Sequence, residues 1–357
     1  MVKKLLWQLF PFLAFVVVVL LFTAADMRWG QGKFLSAYNW RGIMSNAALI
    51  AVPAFGMTMI IISGGIDLSA GTSLTLCGTV LAVMLKVLPE SADYANWVTL
   101  ALFLMVATGV LCGLVNGLLI STTHVVPFIV TLGTMTIFLG IGQILAKEST
   151  VYPPSENIPD WMSLCYTGRN VDQYLVPISI PGLGAIPTSV IIAVVLGLLV
   201  AGLLRYTVFG RNVFAMGSSE STARLCGVNI PLTRIATYSL AGFFVAMGGL
   251  LYFANVKNGN PNDGTGKELE IIAAVVLGGG SLSGGRGSIL GTMIGALIIT
   301  VIRSGCTQLQ IPNTYTLIMI GGIIIIAVIV DQLRHGSPEW FFRLISRPGR
   351  ANAAKAS

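Results

Sequence analysis

Chemically reactive side chains are sparse and scattered along this sequence. It contains five cysteines and two histidines in 357 residues, and no cysteines form a Cys-x-x-Cys pair, the usual spacing for metal or redox chemistry. No Ser-His-Asp or Cys-His arrangement indicates a nucleophile with its base. The residues therefore predict a protein that is not an enzyme and that holds no metal or cofactor of its own. A disulfide between Cys165 and Cys306 stays open, because the topology predicted below places both on the outer face.

One acidic residue lies in a glycine-rich turn within a long apolar stretch. This residue is Asp67, in the turn Gly64–Gly71. A charge at the centre of a bilayer costs about 2.5–3.5 kcal/mol on insertion scales, so its position needs a reason. We expect Asp67 and Ser69 to cap the following helix, while Gly64 and Gly65 permit the sharp reversal. A proton relay is the alternative, and it is disfavoured because no second intramembrane acid accompanies Asp67.

A second candidate site is the loop Arg205–Arg234, in which Glu220–Leu225 has the pattern of a short capped helix. Ser218 or Ser219 precedes this helix as its N-cap, and Gly227 follows it as the C-terminal cap. Such a helix fits a docking element exposed to a partner. It fits equally well an amphipathic connector whose arginines bind lipid phosphates, and the physics favours neither.

The composition is that of an integral membrane protein. Hydrophobic residues make up 55% of the chain, charged residues 10%, and the mean hydropathy is +0.84. Soluble domains contain about 25% charged residues, so this chain cannot cover a water-facing surface of its own size. The net charge of +7 comes from basic residues between and after apolar runs. They indicate membrane orientation rather than a nucleic-acid partner.

Ten apolar segments are predicted to form transmembrane helices. They cover residues 5–25, 43–62, 72–88, 97–120, 125–146, 188–204, 235–254, 269–282, 287–303 and 314–331. An even number places both termini on one side, and the basic C-terminal tail and the basic loop after the sixth segment favour the cytoplasm. We therefore expect an all-α membrane protein with a transmembrane domain over residues 1–334 and a basic cytoplasmic tail over residues 335–357.

An internal repeat relates two glycine-rich turns, Gly64–Gly71 and Gly278–Gly285. Five of the eight aligned positions are identical. The identical positions of the second turn include Gly278, Gly279 and Ser283, aligned with Gly64, Gly65 and Ser69. The match predicts two parallel pseudo-repeated halves, although glycine-rich membrane sequence also produces such matches by coincidence. We hypothesise that both turns let helices pivot or pack closely near the inner face.

Several long phrases resemble those of the ribose/galactose-type permeases of ABC importers, the sugar branch of the branched-chain amino acid and monosaccharide permease family. The phrases are GMT with SGGIDLSAG (Gly56–Thr58 and Ser63–Gly71), VPFIVTLGTM (Val126–Met135), GSSESTARLCGVN (Gly217–Asn229) and the stretch Gly264–Ile298. They occur in the family's order, and the resemblance extends from about residue 43 to 331. It is specific, because such phrases rarely coincide in order and spacing.

The resemblance implies that the loop before the seventh span is a coupling helix that seats on an ATPase subunit. The implied coupling residues are Glu220, Ala223, Arg224, Gly227 and Val228. Ala223 and Gly227 keep the Ala-x-x-x-Gly spacing of the importer motif Glu-Ala-Ala-x-x-x-Gly. Ser221 and Thr222 replace its first two residues, which puts in doubt which side chains contact the ATPase.

The resemblance further implies a bacterial inner-membrane protein that works by alternating access. A separate ATPase subunit would bind ATP and Mg, and a periplasmic or lipid-anchored binding protein would deliver a monosaccharide or polyol. A second permease copy or a paralogue would complete the pathway, surrounded by membrane lipid. The alternatives are a nucleoside or signalling sugar as substrate, or an ion-coupled secondary carrier without an ATPase.

Polar residues inside the predicted spans are the candidates for contact with such a substrate. The candidates are Asn46, Thr58, Asn116, Thr131 and Thr134. Each also fits a hydrogen bond to a neighbouring helix, which is the commoner use of a lone polar residue in a bundle. The spacing Gly109-x-x-x-Gly113-x-x-x-Gly117 predicts a helix face that packs closely against another helix.

Overall fold

The ten apolar segments all lie on helices in the structure, a computed structural model that describes residues 2–89, 93–123, 125–166, 179–180 and 184–335. The predicted tail, residues 335–357, lies outside the described residues except for His335, the last residue of α13. The helices are α1 (Val2–Trp29), α2 (Ala37–Ile62), α3 (Ala70–Lys86), α4 (Tyr94–Thr123), α5 (Pro127–Leu145), α6 (Asp160–Leu164), α7 (Thr188–Tyr206), α8 (Val208–Ser218), α9 (Glu220–Leu225), α10 (Ile230–Val256), α11 (Lys267–Leu277), α12 (Ile289–Gln308) and α13 (Asn313–His335). One short antiparallel hairpin joins β1 (Ser179–Ile180) to β2 (Gly184–Ala185).

Seven helices of the described part are long and apolar enough to cross a membrane. They are α1 from Pro11 onward, α2, α4, α5, α7, α10 and α12. Helix α3 has 17 residues and α11 has 11. At 1.5 Å per residue α11 is about 16 Å long, well short of a hydrocarbon core of about 30 Å. The all-helical membrane fold is therefore confirmed, whereas helix length alone leaves the ten-span count a prediction.

Two predicted boundaries are wrong for reasons of local chemistry. The eighth segment ends at Leu277 instead of 282, because Gly278 and Gly279 close the helix with a C-terminal cap. The seventh span begins at Ile230 instead of 235. Pro231 lies in the first turn of α10, where its missing N–H is not needed, so it starts this helix and does not stop the previous one.

Helices α2 and α10 form the centre of the described fold. Nearly all of α2 is buried, and it packs against α7, α10, α11 and α12, whereas α1 lies at the periphery against α12. The core includes Phe55 of α2 and Tyr238 and Phe244 of α10. Lipid tails are as apolar as leucine, so close van der Waals contact holds such helices together.

The glycine face of α4 packs against α10, as its spacing predicts. A Cβ added at Gly109 would stand 2.5 Å from the carbonyl oxygen of Gly242. At Gly113 an added Cβ would overlap the carbonyl oxygen of Tyr238. These glycines are required because the backbones of the two helices touch.

Cys165 and Cys306 are both buried, and both are free thiols in the structure. Burial raises the pKa of the Cys165 thiol, which lowers the fraction of thiolate available for exchange. The structure therefore gives no support to a bridge between them.

Replacing Gly113 with Leu tests the contact between α4 and α10. The new side chain collides with backbone, and overpacking of this kind costs about 1–3 kcal/mol or more. We expect the thermal unfolding midpoint in detergent to fall by several degrees. Gly133→Leu is the matched control, because an added Cβ there meets nothing within 4 Å. Equal midpoints for the two variants would contradict this packing.

Candidate coupling site

The predicted short helix is present as α9, Glu220–Leu225. Ser219 is its N-cap, and the Ser219 hydroxyl oxygen accepts a hydrogen bond from the Thr222 N–H at 3.3 Å. This bond satisfies one of the free N–H groups of the first turn. The choice between Ser218 and Ser219 is thereby settled.

The C-terminal end of α9 is closed by Gly227, which has φ = +85°. The Gly227 N–H donates to the Arg224 carbonyl at 3.1 Å, and the Val228 N–H donates to the Ala223 carbonyl at 3.0 Å. This pair of bonds is a Schellman motif, in which glycine is favoured because its φ is positive. The helix is thus fixed at both ends by its own sequence.

The two faces of α9 differ. Ala223 is buried against Met216 and Ile230, and Val228 packs beside them. Leu225 is 89% exposed, and the side chains of Glu220 and Arg224 are also largely open to solvent. Ala223 and Val228 therefore hold the helix against the bundle. A partner would contact Glu220, Arg224 and Leu225.

An acid joins α9 to the following helix. The Glu220 carboxylate accepts from Arg224 at 3.2 Å and from Arg234 of α10 at 2.7 Å. Exposed ion pairs contribute at most about 1 kcal/mol. Their effect here is to orient α9 against the first turns of α10.

Gly217, near the end of α8 and two residues before the cap Ser219, is where the loop meets the rest of the bundle. An added Cβ at Gly217 would overlap the Ile62 carbonyl oxygen at the end of α2 and stand 2.7 Å from the Gly285 nitrogen. The Gly285 N–H itself donates to the Ile62 carbonyl at 2.8 Å. An added Cβ at Gly284 would stand 2.6 Å from the Gly217 carbonyl oxygen and 3.1 Å from the Gly64 Cα. We call these five residues the glycine junction.

The glycine junction was not predicted from the sequence. Gly217 opens one of the phrases that carry the family resemblance, but only its contacts distinguish it from other glycines. Both glycine-rich turns were predicted to lie near the inner face. In the structure the two turns lie against each other, and Gly217 at the end of α8 packs against both.

The two turns share the same helix-end geometry. Gly64 has φ = +83° and Gly279 has φ = +88°. The N–H groups of Gly65 and Gly280 each donate to a carbonyl five residues back, at 2.9 and 2.8 Å. By this geometry Gly64 corresponds to Gly279, whereas the sequence alignment paired Gly64 with Gly278.

The other aligned residues of the second turn have different roles. Gly278 lies against Gly291 of α12, where an added Cβ would overlap backbone atoms. Ser283 is exposed in the turn, whereas its aligned counterpart Ser69 is fully buried. The glycine positions of the two turns are thus alike in geometry, and the serines are not.

Asp67 is buried in a hydrogen-bonded network. Its Oδ1 accepts from the Ser69 N–H at 2.8 Å, from the Ser69 hydroxyl at 2.7 Å and from Asn116 Nδ2 at 3.4 Å. The Asn116 amide also donates to the Ser69 hydroxyl at 2.8 Å and accepts from the Thr134 hydroxyl at 2.6 Å. The network ties the first turn to α4 and α5.

The expected cap of α3 is wrong, because the N–H that Asp67 accepts belongs to Ser69, the residue before the helix. The Ser69 side chain itself makes no cap bond to α3. The partners of Asp67 are a neutral hydroxyl, an amide and a backbone N–H, which suit a structural anchor.

The predicted substrate contacts hydrogen-bond within the bundle, and their contact with a substrate stays a prediction. The hydroxyls of Thr58 and Thr292 share a hydrogen bond at 2.7 Å between α2 and α12. The Thr131 hydroxyl donates to the Ile66 carbonyl at 3.3 Å, and Asn116 and Thr134 belong to the Asp67 network. Among the five candidates, only Asn46 lines a cavity described for this structure.

Replacing Asn116 with Ala tests the network. The Asp67 carboxylate and the Ser69 hydroxyl each lose a donor, and the Thr134 hydroxyl keeps only the Thr131 carbonyl at 3.2 Å. Losing hydrogen bonds to buried polar groups costs about 1–3 kcal/mol. We expect a thermal unfolding midpoint several degrees below that of the unchanged chain. Thr136→Ala, an exposed position whose hydroxyl bonds only within α5, should stay within one degree. Equal shifts would contradict the anchoring role.

Comparison with known proteins agrees with this geometry. Residues 39–328 match the family model described as the permease component of branched-chain amino acid transport systems. The chain is 34% identical to the ribose import permease protein RbsC of Bacillus subtilis over 91% of this chain and 92% of that protein. It is 35% identical to the galactose/methyl galactoside import permease protein MglC of Salmonella typhimurium, over 90% and 94% of the two chains.

Ribose import permease protein RbsC of Escherichia coli is 31% identical, over 88% of this chain and 92% of that protein. No solved structure matches the chain. The family model covers well over half of the sequence, including α9, the glycine junction and the Asp67 network. The chain therefore belongs to the family of permease components of branched-chain amino acid transport systems.

Proposed function

We propose that the chain is the membrane-spanning permease of an ATP-driven importer for a monosaccharide or a related polyol. The observation that carries this proposal is α9, an exposed, doubly capped helix whose inner face is locked to the bundle through Ala223 and the glycine junction. The curated relatives named as ribose and galactose import permeases support a sugar as the substrate.

The chain works in the bacterial inner membrane with both termini in the cytoplasm. The ten helices α1–α5, α7 and α10–α13 make up its transmembrane domain, residues 1–334, in two pseudo-repeated halves, with 335–357 as a basic tail. The equal geometry at Gly64 and Gly279 supports the repeat. A second copy of the chain, or a paralogue, completes the pathway.

Transport is powered by a separate ATPase subunit that binds ATP and Mg and receives the exposed face of α9. A periplasmic or lipid-anchored binding protein delivers the sugar to the opposite face. When the ATPase subunits close, α9 moves with them and passes the motion through Gly217 to α2 and to the second glycine turn. This is alternating access, in which ATP favours one of two states of the bundle.

An ion-coupled carrier is not favoured. Such carriers place titratable groups along their ion pathway. Asp67 is held by neutral partners, and Glu270 and Arg303 are paired with each other. The docking helix also has no use in a carrier that works alone.

The test is co-purification of the ATPase subunit with the tagged chain from mild detergent. Leu225→Glu places a charge on the exposed face of α9, and Ala223→Glu places one in its buried anchor. Both should reduce the co-purified ATPase at least tenfold, and Leu225→Glu should leave the unfolding midpoint unchanged because its side chain touches little of the fold.

Val87→Glu is the matched control, since Val87 is 61% exposed and lies at the opposite end of the bundle. Its ATPase yield should equal that of the unchanged chain. A chain that purifies alone and imports sugar into liposomes without ATP would overturn the importer assignment. Full ATPase yield with Leu225→Glu would overturn the role of α9.

A further inference from the structure

A small cavity with both polar and apolar lining lies at the end of the bundle away from α9. It has a volume of about 50 Å³ and is bordered by α2, α3, α10, α11 and α12. Its polar lining consists of Asn46, Tyr252, Lys267, Glu270, Thr300 and Arg303, which we call the outer pocket. Asn46 lies nine residues into α2, or about 14 Å from the start of that helix. The outer pocket is therefore set well inside the bundle.

The charged groups of the outer pocket have partners within the fold. Arg303 of α12 forms an ion pair with Glu270 of α11. The Lys267 ammonium lies 4.5 Å from the centre of the Tyr252 ring, and the Tyr252 hydroxyl donates to Asp263 at 3.1 Å. The charged residues of the lining, two cations and one acid, thus already have partners within the fold, Glu270 for Arg303 and the Tyr252 ring for Lys267. A neutral solute with many hydroxyl groups fits this environment better than an ion.

The outer pocket also holds an unsatisfied donor. Arg303 Nε is buried without a hydrogen-bond partner, and leaving such a group unpaired costs about 1–3 kcal/mol. The Arg303 side chain as a whole is 39% exposed, so the site can be reached from outside the fold. Asn46 donates to the Gly42 carbonyl and accepts from the Tyr166 hydroxyl at 3.2 Å, which fixes its amide at the edge of the site.

We propose that the outer pocket is a transient binding site for the hydroxyl groups of a single sugar ring on its way through the permease. The proposal rests on the proposed import function and names a step within it. A cavity of this volume holds a few water molecules and is smaller than a sugar. The sugar therefore enters as α11 and α12 separate, and its hydroxyls replace the bond between Glu270 and Arg303 and satisfy Arg303 Nε. Hydrogen bonds to charged groups are about twice as strong as neutral ones.

The first test uses reconstituted complexes with the ATPase and the binding protein, and whichever of D-ribose and D-galactose the unchanged chain imports. Glu270→Gln and Arg303→Lys keep the size of the side chains but remove the acidic charge or the Nε donor fork. Each should lower import at least tenfold, with ATPase co-purification and binding-protein-stimulated ATP hydrolysis within twofold of the unchanged complex. Leu269→Ala, a 53% exposed neighbour on α11, should import normally.

Exchanging the charges of Glu270 and Arg303 distinguishes a sugar-binding role from a purely structural ion pair. If Glu270 and Arg303 only hold α11 to α12, the double variant Glu270→Arg with Arg303→Glu restores import. If they bind sugar hydroxyls, import stays at least tenfold low because the donors and acceptors now lie on the wrong helices. Restored import, or normal import by both single variants, would overturn the proposal.

A second measurement does not depend on the stability of those variants. Asn46→Cys is introduced with Cys226→Ser, which removes the exposed natural thiol, and the complex is labelled with a small thiol reagent. The imported sugar should slow labelling at least threefold, and cyclohexanol of similar size should not. A labelling rate that does not change with the sugar would contradict sugar binding in the outer pocket but not the proposed import function. Failure of the unchanged complex to import with ATP counts against the proposed function.

Discussion

The backbone contact between Gly217 and the Ile62 carbonyl is the constraint on which the rest of this structure depends. It allows the end of α8, and α9 beyond it, to touch the end of α2 and the second glycine turn at one point. A membrane bundle has little hydrophobic driving force between its helices, so contact at backbone distance supplies the attraction and the rigidity. A side chain at Gly217 would separate the docking helix from the parts that it is proposed to move.

The same principle extends from the glycine junction to the opposite end of the bundle. Helices α11 and α12 follow one another through the second glycine turn, and their backbones touch again where Gly295 meets the Ala274 carbonyl. Farther along the same pair, Glu270 and Arg303 close the outer pocket. The junction and the outer pocket thus lie at the two ends of one helix pair. A shift of α9 can therefore reach the residues proposed to bind sugar through this one helix pair, whose separation at Glu270 and Arg303 would admit the sugar.

Much of this arrangement could be predicted from the sequence where the cause is local. The caps of α9 follow from Ser219 and Gly227, and the close contact of α4 with α10 follows from glycines four residues apart. The C-terminal end of α11 and the start of α10 differ from the prediction. A glycine cap and a first-turn proline act over one or two residues, and the length of an apolar segment does not show where they act. Such positions need the backbone geometry itself.

Contacts between residues far apart in the sequence could not be predicted. Nothing local distinguishes Gly217 from other glycines, because its partners lie more than sixty residues away on either side. The hydrogen-bond partners of the substrate candidates Thr58, Asn116, Thr131 and Thr134 lie on other elements of the bundle, and polarity alone does not reveal them. Arg303 was overlooked because it lies near the end of an apolar segment, where basic residues are common.

The account is tested most directly by the transport stoichiometry of Gly217→Ala, measured as ATP hydrolysed per sugar imported in the reconstituted complex. Gly202→Ala is the control, because an added Cβ there meets nothing within 4 Å. The account predicts that Gly217→Ala still binds the ATPase through the exposed face of α9, while sugar import falls at least tenfold and ATP per sugar rises accordingly. Import and stoichiometry equal to those of Gly202→Ala would contradict it.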